Sequence, residues 1–123
     1  MRSELILSLR SEINVDSERK PLELEHFQNS CLRPILKFQN NVLLSFFRSQ
    51  IPNEEIPNSI MKRESLVKLR LQKDTITRNV LIGMVLGLMT VDELSFYHSN
   101  KNELSRRIVT MLTQRISEQL LVA

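Results

Sequence analysis

The run Val80-Leu81-Ile82-Gly83-Met84-Val85-Leu86-Gly87-Leu88-Met89 constrains the fold more than any other stretch. Read as a helix from about Thr75 to Met89, it is apolar on every side. A surface helix carries a single apolar stripe, so an all-round apolar one is expected to be surrounded by other elements. Gly83 and Gly87 are the only glycines in the chain, and their spacing puts them on one helix face. Glycine inside a helix costs about 1 kcal/mol relative to alanine. Its use here predicts a flat strip for a close helix approach, either within the chain or between two chains.

The 123 residues predict one domain, large enough for a core without disulfides or metal. A single cysteine, Cys31, excludes an intramolecular disulfide and fits a reducing compartment. With five Phe, one Tyr and no Trp, the core has to be built mainly from Leu, Ile, Val and Met. The net charge of +3 divides into −1 over residues 1–58 and +4 over residues 59–123, a weak pointer to an anionic partner. The apolar run is about half the roughly 20 residues needed to cross a bilayer, and no signal peptide is visible. We expect a cytoplasmic protein that makes no membrane contact.

Leu5, Ile6, Leu9 and Ile13 recur at helical spacing and predict a short first helix over 2–12, followed by a polar loop over 14–21. Residues 22–49 predict a long helix with Cys31, Leu32, Ile35, Leu36, Val42, Leu43, Phe46 and Phe47 on one face. Pro34 has either to occupy a first turn, with a start near Ser30, or to kink a longer helix. Leu44 points away from the apolar face, among Arg33, Lys37 and Arg48. Pro52, Asn53, Pro57 and Asn58 predict a stop and restart. A basic helix over 60–72 aligns Ile60, Val67 and Leu71, and Asp74 is placed to cap the helix that follows. Thr90 and Glu93 match a capping box for a helix from Val91 to about His98. Asn102 is the expected cap of a last helix from Glu103 to about Leu121. Leu104, Ile108, Met111, Leu112 and Ile116 form its buried face, with Arg115 inside that face. No strand signal is present. The expectation is an all-α single domain over 1–123, a compact bundle of five or six helices around the 75–89 helix.

Chemistry is sparsely signalled. His26 and His98 lack the partners of a metal site, both glycines are in a helix, and so neither a metal nor a cofactor is expected. Polar residues on or beside apolar faces are the candidates for anything specific: Gln28, Asn29, Arg33, Gln39, Asn40, Arg78, Asn79 and Arg115, with Lys73 beside them. Either they form an internal hydrogen-bond network, or they line a polar pocket between helices that binds a small anion or acid. The basic helix 60–72 could track phosphates, but no aromatic residues accompany it for base stacking. Helices 91–98 and 103–121 have helix-turn-helix lengths, with few cations at the second helix start.

At Phe27-Gln28-Asn29-Ser30-Cys31-Leu32-Arg33-Pro34-Ile35-Leu36-Lys37-Phe38-Gln39-Asn40, and again at Arg78-Asn79 and Gly83, the sequence resembles a group of short all-helical bacterial proteins of no established function. Some of that group carry the label glyoxalase. The label would imply a βαβββ metal enzyme with His and Glu ligands on strands, and this chain has neither. The resemblance implies an all-α fold and transfers no catalytic residue. The favoured reading is a non-enzymatic interaction or scaffold module, acting as a homodimer or with another protein. Small-ligand binding or lyase chemistry around Gln28, Gln39 and Arg33 is the alternative, with weak nucleic-acid binding as a third.

Overall fold

The computed structural model describes residues 2–9, 23–52 and 56–120. Ile13 and the expected loop 14–21 lie outside them. The elements are α1 (Arg2–Leu9), α2 (Glu23–Phe27), a π-helical turn (Gln28–Leu32), α3 (Arg33–Gln50), α4 (Ile60–Lys73), α5 (Thr75–Leu86), α6 (Val91–Ser99) and α7 (Lys101–Gln119). Phe27 and Leu32 keep helical backbone angles, so α2, the π turn and α3 form one continuous rod. The described residues therefore make six rods and no strand, an all-α bundle as the sequence predicts.

The π turn resolves the problem that Pro34 sets. Proline has no N–H to give and its ring crowds the carbonyl four residues back. The helix widens just upstream: the Arg33 N–H reaches the Gln28 carbonyl, an i→i+5 step. Pro34 is buried inside a longer helix that neither starts at Ser30 nor breaks.

α5 packs against α3, α4 and α7, so it is central in the topology. Thr77, Leu81 and Val85 form its buried stripe. Unlike the all-round burial expected from its composition, one face is open to solvent. Ile76 is 78% exposed and Val80 40%, and a side-chain carbon built on Gly83 would meet nothing within 4 Å. The strip is therefore not filled by another helix of the described chain. The helix also stops at Leu86 rather than Met89. Its last turn tightens, with Leu88 N–H donating to Val85 O (3.3 Å) and Met89 N–H to Leu86 O (3.0 Å). That leaves the Met84 carbonyl without its usual i+4 donor, and Gln39 Nε2 supplies one at 3.2 Å. Arg2 closes the same end, donating to Met89 O (2.8 Å) and Gly87 O (3.0 Å).

The core joins Leu32, Ile35, Leu36, Leu43 and Phe47 to Val67, Leu71, Leu81, Val85, Leu104, Ile108, Leu112 and Ile116. Phe27 stacks on Phe96 with ring centroids 4.8 Å apart, tying α2 to α6. Several expected positions differ. Val42 and Ile60 are exposed, Phe46 and Met111 are half-buried, and of the apolar α1 residues only Ile6 is buried. Leu44 is half-buried against the core rather than stranded on a polar face. Asn100, not Asn102, precedes α7, and its side chain turns back to the Phe96 carbonyl (3.1 Å) instead of capping.

Candidate functional site

Arg63 Nη1 donates to the Leu120 carbonyl at 3.2 Å, so the start of α4 lies beside the end of α7 and the two helices run antiparallel. Together with α5 they enclose a cleft of about 690 Å³. Small-molecule sites span roughly 300–1,000 Å³. Leu71, Ile82 and Val109 give it an apolar lining, and Thr113 and Ser117 add buried hydroxyls. These hydroxyls donate to the carbonyls of Val109 (2.8 Å) and Gln114 (3.0 Å), so their oxygens remain able to accept.

Charge is segregated along the cleft. Glu64 and Glu118 line the end where α4 begins and α7 finishes. Lys68 follows one turn along α4. Arg78 comes one turn after Asp74, which joins α4 to α5, and Arg106 stands near the start of α7, so both belong to the opposite end. Asp74 fixes this corner: its carboxylate accepts from the Thr77 N–H (3.0 Å) and the Thr77 hydroxyl (2.7 Å). Those hydrogen bonds, with Arg70 Nε 3.4 Å away, hold the Asp74 carboxyl below its ordinary pKa.

The residues singled out in the sequence fall in separate places. Arg78 (half-buried) and Asn79 (exposed) line the cleft. Asn40 and Arg115 meet with Gln119 between α3 and α7. The Asn40 and Gln119 amides exchange two 2.7 Å hydrogen bonds, and Arg115 Nη1 donates to Asn40 Oδ1 at 3.3 Å. Gln28 Oε1 accepts from Arg107 Nη1 at 2.9 Å, linking the π turn to α7. Gln39 is committed to the Met84 carbonyl. Asn29 is half-buried on the π turn and Arg33 exposed beside it. Gln28, Gln39 and Arg33 thus do not converge on one pocket.

In the basic helix, Arg63 and Arg70 turn inward to the carbonyls of Leu120 and Gln50, which leaves Lys62, Lys68 and Lys73 exposed. Cys31 is fully buried in the core while His26 is exposed, so the two do not form a solvent-facing pair. Among the described residues no group of three or more His, Cys, Asp or Glu is placed to hold a metal, and no helix is long and apolar enough to cross a membrane.

Two features were not singled out in the sequence as a site. One is the contribution of α7 to the cleft, through Val109, Thr113 and Ser117. The other is the exposure of Phe38 (48%), one residue from Gln39. The helical spacing of Val109 and Thr113 was readable, but which helix they would face was not. Set against protein-family models, curated proteins and solved structures, the chain matches none of them.

Proposed function

We propose that this protein is a non-enzymatic interaction module that self-associates through the outer face of α5. The observation that carries this is the open stripe Ile76, Val80 and Gly83, which recurs at helical spacing, has no charged side chain and has empty space over Gly83, with Gly87 at its end beside the Arg2 guanidinium. Apolar side chains exposed in a row gain by leaving water, about 25 cal/mol per Å² removed. A two-fold interface places the same patch on both sides, so any charge within it would face its own copy. Ile76, Val80 and Gly83 bring none to repel, whereas the exposed faces of α4 and α7 carry Lys62, Glu64, Lys68, Arg106 and Glu118. Glycine at the centre lets two helices cross closely. Phe38 and Val42 on α3 lie within one turn of Gln39, where α3 meets α5, and would extend the apolar surface.

Sedimentation velocity over a concentration series tests this. The intact chain is expected to shift from monomer to dimer as concentration rises. Val80→Glu should remain monomeric with unchanged helical circular dichroism, because it puts two carboxylates opposite one another. A chain that stays monomeric at the highest concentration, or a Val80→Glu variant that dimerises like the parent, would overturn the proposal.

A further inference from the structure

We propose that the cleft between α4, α5 and α7 binds a small amphipathic monocarboxylate, its acid group on Arg78 and its apolar body on Ile82, Leu71 and Val109. Arg78 is the exception among the half-buried arginines. Arg63 donates to Leu120 O, Arg70 to Gln50 O, Arg107 to Gln28 and Glu103, and Arg115 to Asn40; Arg48 is likewise engaged. The Arg78 side chain has no hydrogen bond or ion pair among the described residues, although it lines a cleft of about 690 Å³. Removing a guanidinium partly from water is unfavourable unless an acceptor compensates it, and a planar carboxylate fits its fork with two parallel hydrogen bonds.

The rest of the cleft selects the remainder of the ligand. Ile82 lies one turn beyond Arg78 on the same face of α5, with the buried Leu71 and the half-buried Val109 across from it. This places an apolar surface directly beside the cation. Glu64 and Glu118 at the far end disfavour a second acidic group there, and so a ligand with acid groups at both ends. The same two carboxylates oppose a nucleic-acid backbone running along the cleft. Asn79, at the cleft beside Arg78, can donate to or accept from a polar substituent near the acid. Arg78 and Ile82 lie on a different side of α5 from Ile76, Val80 and Gly83, with Asn79 between the two, and their site does not require the chain to dimerise.

The experiment is an amide-resolved NMR titration with octanoate, with octanol as its uncharged counterpart. Octanoate is expected to shift the resonances of Arg78, Ile82 and Val109 and to bind at least about tenfold more tightly than octanol, as a charge-assisted hydrogen bond implies. Arg78→Gln should reduce octanoate to the affinity of octanol without lowering the melting temperature, and Arg78→Lys should restore part of the difference. Equal affinities for the two probes would overturn the proposal. So would undiminished binding to Arg78→Gln, shifts confined to Ile76 and Val80, or no shift up to the solubility limit of octanoate.

Discussion

Gly83 has helical backbone geometry and open space where a side chain would be. Within a single copy, then, nothing requires glycine there. Its backbone freedom in the unfolded chain is a cost without a local return. Gly83→Ala is therefore expected to stabilise the dilute monomer by about 0.5–1 kcal/mol, read as a rise in melting temperature. A fall would mean that the position is packed. Gly87 differs, because a side-chain carbon there would lie 3.3 Å from the Gly83 carbonyl oxygen. Asp74 gives a second test at this scale. Its pKa is lowered first by the Thr77 backbone hydrogen bond, then by the Thr77 hydroxyl, and further by Arg70. A carboxyl depressed in the folded state contributes stability above its unfolded pKa and loses it as pH falls through the folded pKa. Asp74→Asn should thus melt below the parent at neutral pH, and the gap should close as pH drops through the aspartate range and below. A gap independent of pH would show that the charge plays no part.

At the scale of the element, signals confined to a few neighbouring residues were legible. The Thr90 hydroxyl accepts from Glu93 N–H (3.1 Å), and Glu93 Oε1 accepts from Thr90 N–H (2.9 Å), as the Thr-x-x-Glu spacing predicts. Thr90→Ala is expected to cost about 1 kcal/mol. Combined with Glu93→Ala it should cost less than the two single losses together, since each change already breaks the reciprocal pair. Strict additivity in denaturant melts would show that the two bonds act independently. Features that depend on register were not legible. The π turn before Pro34 needs one hydrogen bond to skip a residue, and no residue type between Gln28 and Leu32 announces that. The sequence points to Asn102 as the start of the last helix, whereas Asn100 precedes α7, and both are good caps in isolation. The choice follows from the Leu104 N–H reaching the Asn100 carbonyl at 2.9 Å.

For the molecule as a whole, periodicity identified most of the buried face of each helix but not which faces would remain uncovered. Composition made α5 look buried all round, yet three neighbouring helices cover only part of its circumference. The cleft was half legible. Arg78 and Asn79 stood out as polar residues beside an apolar run, while the opposing wall depends on α4 and α7 running antiparallel, which no local pattern encodes. The Gln28, Gln39, Asn40 and Arg115 side chains stood out for the same reason as Arg78, and in the fold each ties two helices together. One long-range contact also orders events in time. Arg2 grips the carbonyls of Gly87 and Met89, residues made long after it during synthesis. Among the described residues α1 has little else to hold it, with Ile6 as its one buried side chain. The first of the described helices to leave the ribosome therefore has to wait for the end of α5, and its one core side chain, Ile6, stays uncovered in the interval.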